Sequence, residues 1–276
     1  MPALSHTRYL NACATSVHNA LALAAERLLA AAALEDYERL RPSLEPVALP
    51  LGWTVHHAGD REKHLYFLTE GIVSKSYTTR NGASTEFAIT GREGAIGVAL
   101  FLGGESTLSQ AVVRSAGHAY RLQADAVKNE FERNGRLAHL LLRYTLALMA
   151  QTGQIAACNR HHSLEQQLCR CILSNLDRSP SNELTMTQEL IAEMLGVRRE
   201  SVTEIAGRLQ KAGLVHYSSG HIAVLDRPGL EARACECYAA IKREYDRLLR
   251  PEYTVDRAGV HGAHPVTTIC IFAGIQ

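Results

Sequence analysis

The sequence predicts an α+β fold in which a region of short strands is followed by helices. Between Leu44 and about Leu122, short runs rich in β-branched and aromatic residues alternate with glycine turns, as in WTVHH, HLYFL, STEFAIT and GHAYRL. From Ala124 onward, apolar residues recur at the three- and four-residue steps of helices. Many short strands at near-regular spacing predict a β-sandwich or barrel, so we expect residues 44–134 to form a jelly-roll-like β-roll.

The composition is that of an ordinary globular protein. The chain has 276 residues, of which 46% are hydrophobic and 21% are charged, and this length suffices for two domains. Its net charge of +1 means that nucleic-acid binding would have to come from a local cluster of charges. No apolar run approaches the ~18 residues of a membrane span, and seven cysteines, an odd number, argue against a disulfide framework. We therefore expect a cytoplasmic protein without membrane segments.

Three further features belong to the roll and the chain ends. Residues 15–43 have the leucine spacing of a helix that Pro42 ends, so residues 1–43 are predicted to be a helical extension with a packing role. Asn81-Gly82 lies between two alternating runs, which favours a β-hairpin turn. The tail of residues 251–276 has no helical period and carries no functional prediction.

A long helix is predicted over residues 135–162. Seven of its residues step by 4, 3, 4, 3, 4 and 3 positions, which is the heptad pattern of one helix packed along another. We expect this seam to form a homodimer, although the same pattern also fits a helix packed within one chain. The predicted dimer interface comprises Leu137, Leu141, Tyr144, Leu148, Gln151, Ile155 and Cys158.

Residues 163–250 contain helical segments and a hairpin. Thr185 and Gln188 have the spacing of a capping box before a first helix, and Gly196 supplies a turn. A second helix then places its apolar residues on one face, namely Val202, Ile205, Ala206 and Leu209. The hairpin LVHYSSGHIAVLD follows, with Ser219-Gly220 at its tip. Two short helices around a glycine turn, followed by a hairpin, predict a winged helix-turn-helix.

The stretch TQELIAEMLGVRRESVTEIAGRLQKAGLV resembles the DNA-binding motif of the catabolite-activator/FNR (CRP/FNR) family of bacterial transcription regulators. Upstream, HLYFLTEGIVSKSYTTRNGAS and REGAIG resemble the cyclic-nucleotide-binding-like effector domain of that family. The resemblance covers Leu44 to Leu248 in the family's order. It implies a homodimeric, sequence-specific regulator that binds double-stranded DNA at a palindromic operator, with a small-molecule effector and RNA polymerase as further partners.

Two adjacent arginines begin the second helix, where the helix dipole disfavours cations. The resemblance explains them, because the N-terminal end of a recognition helix faces bases and phosphates. It implies that Arg199 reads guanine and Glu200 accepts from cytosine N4. Glu204 stands where the catabolite activator has a second guanine-reading arginine, so Thr203 and Glu204 are expected to face other bases. The residues expected to contact phosphates are Thr187, Gln188, Arg198 and Ser201.

The effector pocket of the family holds a cyclic nucleotide with a glutamate directly after an Ile-Gly turn and with an Arg-Ser/Thr pair on the phosphate. Here Gly97 is followed by Val98, and Ser109-Gln110 stand at the phosphate positions. A buried phosphate without its arginine would be an unpaired charge in a low dielectric. We therefore predict a pocket near these residues and Arg114 that does not bind cyclic AMP in the usual way.

No metal, cofactor or catalytic activity is predicted. Cys169-x-Cys171 and Cys235-x-Cys237 have one intervening residue rather than two, and residues i and i+2 of a helix point in different directions. No nucleophile with a base and an orienting group emerges from the sequence. An alternative function is a small-molecule-binding signalling module whose winged helix mediates protein contacts, since Glu200 and Glu204 offset the arginines. DNA binding that weakens steeply with salt would distinguish the two functions.

Overall fold

The computed structural model describes residues 34–249, and the tail and most of the predicted N-terminal helix lie outside this range. The first half begins with helix α1 (Leu34–Leu40), which a 3-10 turn (Arg41–Ser43) follows. Six strands come next in the region where the sequence predicts many short strands, but two of them are long and continue through Gly71 and Gly117. The six are β1 (Glu45–Leu49), β2 (Thr54–His56), β3 (His64–Thr78), β4 (Ser84–Thr90), β5 (Ala95–Ile96) and β6 (Gln110–Gln123).

The six strands form one antiparallel sheet in the order β1-β6-β3-β4, with β2 paired to β6 and β5 paired to β3. The two long strands β3 and β6 pair along most of their lengths, and register shifts between Leu68 and Val73 bend the pair. Gly117 lies at this bend, where an added Cβ would be 2.2 Å from the carbonyl oxygen of Glu70. Only glycine permits such a close backbone approach. The hairpin predicted at Asn81-Gly82 joins β3 to β4.

The second half is mostly helical and contains a small sheet in the order β7-β9-β8. Helices α2 (Ala124–Glu132) and α3 (Arg136–His161) follow the roll along the chain. The remaining elements are α4 (Leu164–Leu176), β7 (Glu183–Thr185), α5 (Gln188–Leu195), α6 (Arg199–Lys211), β8 (Val215–Ser218), β9 (His221–Val224), α7 (Arg227–Arg233) and α8 (Glu236–Leu248). The predicted α+β architecture is therefore confirmed. From residue 34 to residue 249, no helix is long and apolar enough to cross a membrane.

Helix α8 connects the two halves of the molecule. Tyr238, in its first turn, packs in the core formed by α4, α5, α6 and the small sheet. Ile241, Tyr245 and Leu248, further along, pack in the core formed by the roll and α3. The two domains therefore share a helix as well as the link between α3 and α4.

The long helix α3 exists as predicted, but its heptad seam faces the chain's own core. All seven seam residues are buried within the single chain. The hydroxyl of Tyr144 donates to the carbonyl oxygen of Ala95 in the roll (2.9 Å), and the hydroxyl of Tyr245 on α8 donates to Gln151 Oε1 (3.4 Å). The assignment of Leu137, Leu141, Tyr144, Leu148, Gln151, Ile155 and Cys158 to a dimer interface is therefore corrected, because heptad spacing does not identify the partner of a helix.

Candidate nucleic-acid interface

Helices α5 and α6 are held at a fixed angle by a short turn. The hydroxyl of Thr187 caps α5 by accepting from the backbone N–H of Leu190 (3.2 Å). The predicted cap at Thr185 is wrong, because Thr185 is the last residue of β7. Gly196 ends α5 with a φ of 66°, a left-handed conformation that glycine adopts without strain. The chain then enters α6 three residues later.

Helix α6 presents an apolar face inward and a polar face outward. The four apolar residues of the predicted inner face are all buried in the core of this domain. On the opposite face, Arg199, Glu200, Thr203 and Glu204 are exposed. Arg198 is the N-cap residue, and no side-chain hydrogen bond caps the helix there. The N-terminal N–H groups of α6 and two arginines therefore point toward the same solvent region, which is a suitable environment for an anion.

The outward side chains contact one another in this conformation. Arg199 Nη1 lies 2.8 Å from Glu189 Oε1 on α5, and both side chains are about 60% exposed. Thr203 Oγ1 donates to Gln188 Oε1 (2.6 Å). Exposed ion pairs of this kind contribute little to stability, typically about 0–1 kcal/mol, so DNA can replace them at small cost.

Glu204, the departure from the family pattern, has a partner on its own helix. Its Oε1 lies 2.6 Å from Arg208 Nη1, one helical turn away. Arg208 also reaches Glu165 on α4, at 3.3 Å. Glu204, at the position of a base-reading arginine in the catabolite activator, is therefore part of an ion-pair network in this chain.

The hairpin after α6 forms a wing beside this surface. Its turn is at Ser219 and Gly220, as predicted, and both residues have positive φ (49° and 81°). The hydroxyl of Tyr217 donates to the carbonyl oxygen of Met186 (2.7 Å), and Gln210 Oε1 accepts from the backbone N–H of Tyr217 (2.7 Å). These bonds attach the wing to α6 and to the segment before α5.

All four residues expected at phosphates are at the starts of α5 and α6. Thr187 and Arg198 are exposed N-cap residues, and Ser201 is half-buried in the first turn of α6. Gln188 is also half-buried, and its side-chain oxygen accepts from Thr203 while its amide nitrogen keeps donor capacity. Their contact with phosphates stays a prediction.

The residues expected in an effector pocket are mostly buried or in contact with the roll's own strands. Gly97 has a φ of 109° and lies against the backbone of His64, and Val98 is buried at the start of a 3-10 turn. Ser109 is buried, and the Gln110 amide donates to Ser76 Oγ (3.2 Å). The guanidinium of Arg114 lies 3.2 Å from Glu193 of α5, and its place in a pocket stays a prediction.

The interior of the roll contains a charged group that the sequence analysis missed. His56, Ala111 and Lys75 are register partners across β2, β6 and β3, so they share a face of the sheet. Glu62 joins them, with Oε1 at 3.6 Å from His56 Nδ1 and Oε2 accepting from the backbone N–H of Ala99 (3.2 Å). Strand alternation with Val73 was the available signal that Lys75 points inward.

Burial determines the protonation of this group. Burial, with the Lys75 ammonium nearby, lowers the pKa of His56 to about 4. Burial also lowers the pKa of Lys75 to about 8, against the opposing effect of Glu62. Burial raises the pKa of Glu62. With His56 neutral, one cation faces one anion, so the interior carries little net positive charge.

The roll and the winged-helix domain meet at an ion-rich interface. Arg178, after α4, lies 2.6 Å from Glu93 of the roll. Next to it, Glu86 on β4 faces Arg114, Arg170 and Arg178, yet burial raises its pKa to about 7. The turn between α5 and α6 also contacts the roll, because a Cβ added at Gly196 would lie 2.7 Å from Thr85 Oγ1.

Comparison with known proteins identifies the family. Residues 46–134 match the cyclic nucleotide-binding domain family, and residues 135–233 match the Crp-like helix-turn-helix domain family. The chain is also 23% identical, over 71% of its length and 90% of the relative's, to a CRP-like cAMP-activated global transcriptional regulator of Mycobacterium tuberculosis.

Solved structures agree with this order of domains. A crp/fnr-family protein from Eubacterium rectale has a TM-score of 0.61 at 17% identity, covering 72% of this chain and 94% of that one. FixK2 from Bradyrhizobium japonicum has a TM-score of 0.59 at 13% identity, covering 70% and 98%. The chain belongs to the CRP/FNR family and is a DNA-binding regulator of transcription.

Proposed function

We propose that this protein is a cytoplasmic homodimer that binds a palindromic DNA operator through the outward face of α6. The observation that carries the proposal is the exposed set Arg199, Glu200, Thr203 and Glu204 on a helix whose other face is fixed in a core. Arg199 would donate to guanine O6 and N7, and Glu200 would accept from cytosine N4, with about 1–3 kcal/mol of discrimination for a good bidentate contact. Thr203 and Glu204 would face other bases.

The dimer would use a second apolar stripe of α3, on the side opposite the buried seam. Leu142, Leu146 and Met149 are 43%, 48% and 65% exposed, although all three are large and apolar. Gly153 and Ala156 continue the stripe and are also exposed. Together these five residues step by 4, 3, 4 and 3 positions, the spacing of a helix-helix seam. Two copies joined here would present two recognition helices to half-sites about 34–36 Å apart.

The β-roll would sense an effector other than cyclic AMP. The M. tuberculosis relative is described as cAMP-activated. Here Lys75 faces Glu62 inside the roll. Glu62 also accepts a hydrogen bond from the backbone N–H of Ala99, two residues after Gly97. A buried phosphate at this place would meet a carboxylate and no spare cation, at a cost of several kcal/mol. Calorimetry with cyclic AMP checks this, and micromolar binding would contradict it.

Selection of bound fragments from a random DNA pool tests the operator proposal. We expect enrichment of an inverted repeat. The logarithm of the binding constant for this repeat should fall linearly with the logarithm of the salt concentration, because Lys and Arg contacts release counterions from DNA. Absence of enrichment, together with capture of a protein partner through the winged helix, would instead support the signalling-module alternative.

Arg199→Ala provides the residue-level test. We expect an operator affinity lower by at least about 10-fold, because each of the two half-sites loses a contact worth about 1–3 kcal/mol, and we expect an unchanged dimer. The matched control is Arg61→Ala, since Arg61 is also an exposed arginine paired with a glutamate, Glu105, but lies on the roll. Equal affinities for the two variants in a gel-shift titration would refute base reading by Arg199.

A further inference from the structure

Three cysteines and one histidine converge where α3 ends and α8 begins. Cys158 Sγ lies 3.5 Å from Cys235 Sγ, and Cys237 Sγ lies 3.4 Å from His162 Nδ1. The four candidate ligand atoms are all within 4.8 Å of one another. The three cysteines are buried and form a small cluster of their own between the two domain cores.

Local backbone geometry explains why these side chains meet. Cys158 and His162 are four residues apart at the end of α3, so they lie on the same side of the helix. Cys235 precedes α8 as its N-cap, with an extended backbone (φ −75°, ψ 163°). Residues i and i+2 point in different directions only when both are inside a helix. Here Cys235 is outside the helix and Cys237 is inside it, and both thiols point to the same place.

The distances fit a single tetrahedral ion. With Zn–S bonds of about 2.3 Å and Zn–N bonds of about 2.0–2.1 Å, tetrahedral ligands lie about 3.8 Å apart for two sulfurs and about 3.5 Å apart for sulfur and nitrogen. The Sγ–Sγ distance of 3.5 Å and the Sγ–Nδ1 distance of 3.4 Å are close to these values, and all the ligand-atom separations are within 4.8 Å. An iron–sulfur cluster would spread its cysteines over several iron atoms. We propose that Cys158, His162, Cys235 and Cys237 bind one zinc-type divalent ion.

Neighbouring side chains already support this ligand set. His162 Nε2 lies 3.2 Å from Glu236 Oε1, which favours the tautomer with its proton on Nε2 and a lone pair on Nδ1 directed at the cysteines. The Gln154 amide donates to Cys237 Sγ (3.1 Å). The guanidinium of Arg170, which is buried, lies near Cys158. Three thiolates and one dication leave a net negative charge, and these donors would stabilise it.

The ion would add a covalent-strength link between two segments that packing and a few polar contacts already bring together. Cys158 and His162 belong to the end of α3, just before the link to the winged-helix domain, whereas Cys235 and Cys237 follow the residues that match the family's helix-turn-helix domain. Half of the site is therefore contributed by a segment outside both family matches. This is consistent with a feature of this chain rather than of the general fold.

Metal analysis of the untagged full-length protein tests the proposal. We expect one zinc per chain by mass spectrometry, and a cobalt-substituted protein with the absorption of thiolate-to-cobalt charge transfer. Cys237→Ser and His162→Ala should each lose most of the metal, and His162, at the helix end, is the variant less prone to misfold. Cys169→Ala removes a buried cysteine outside the site and should keep the metal.

Each of three outcomes would overturn the proposal. One is a reduced, folded wild-type protein that takes up neither zinc nor cobalt after dialysis against chelator and re-addition of metal. The second is a metal content in His162→Ala and Cys237→Ser equal to that of Cys169→Ala, with circular dichroism showing that all are folded. The third is a disulfide between Cys158 and Cys235 in protein purified with zinc present.

A substitution beside the ligands gives a graded test. Glu236 contacts His162 but is not a ligand, so Glu236→Gln should retain the site and lower zinc affinity by about 10- to 100-fold. A competition titration against a chromophoric chelator measures this change. An affinity unchanged from wild type would show that Glu236 does not orient His162.

Discussion

Glu86 is the residue at which burial and charge are most strongly opposed. It faces three arginines, from β6, from α4 and from the segment after α4, which favour its ionised form. Removal from water outweighs them and raises its pKa to about 7. Its protonation near neutrality is therefore coupled to the contact between the roll and the winged-helix domain.

Glu86→Gln should change how stability depends on pH. The folded-state pKa of about 7 lies above the ordinary value of 4.5, so the folded protein binds the extra proton and loses stability as pH rises through that window. The variant should lack this loss and be more stable well above pH 7, by up to about 3 kcal/mol, and similar to wild type below the window.

Urea denaturation at a series of pH values measures the difference. The control is Glu132→Gln, which changes an exposed glutamate on α2 and should leave the curve unchanged. Parallel curves for wild type and Glu86→Gln would show that Glu86 does not titrate in this range.

Individual residues show which features of the structure could be predicted from the sequence and which could not. The inward and outward faces of α6 could be predicted, because helical period and residue type agree there. The contact between Arg114 and Glu193 could not be predicted. The alternation of a strand shows which face of the sheet a side chain occupies, but not which domain packs on that face. Lys75 differs, because strand alternation with Val73 indicates its inward face, but no local pattern shows that Glu62 lies beside it.

At the scale of the element, α3 carries two apolar stripes of the same spacing. One is continuous, bulky and buried, and the other ends in small residues, Gly153 and Ala156, and is exposed. The sequence draws attention to the first stripe because it is the more hydrophobic. Hydrophobicity is greatest where a helix meets its own domain, which is why the seam predicted for a partner chain lies inside.

Met149→Asp should weaken the dimer. Met149 is 65% exposed, so an aspartate carboxylate at this position remains solvated in the monomer. In a dimer joined along this stripe, the same carboxylate would be buried with no cation to pair with it. Sedimentation velocity over a concentration series should show a mass shift toward monomer. Leu108→Asp is the control, because Leu108 is 80% exposed on the roll and away from α3. An unaltered mass for Met149→Asp would exclude this stripe.

Leu148→Asp distinguishes the two stripes of α3. Leu148 is 7% exposed and packs in the roll core, so a carboxylate there should destabilise the fold by several kcal/mol. We expect poor folding rather than a stable monomer, measured as a lower melting temperature. If Leu148→Asp were instead a stable, folded monomer, the dimer interface would be the buried seam that the heptad pattern predicts.

At the scale of the whole molecule, the order of roll, long helix and winged helix could be read from the chain. The docking of the domains on each other could not. It depends on pairs such as Arg114 with Glu193 and Arg178 with Glu93, which are 79 and 85 residues apart and have no local sequence pattern.

Helix α8 has a consequence for how the protein melts. Because one helix contributes side chains to both domain cores, neither core can lose it without exposing apolar surface in the other. Calorimetry should therefore record a single cooperative transition whose calorimetric and van't Hoff enthalpies agree. Operator DNA should raise the melting temperature reported by Trp53 in the roll as well as that of the winged helix. Two separated transitions would show that the domains unfold independently.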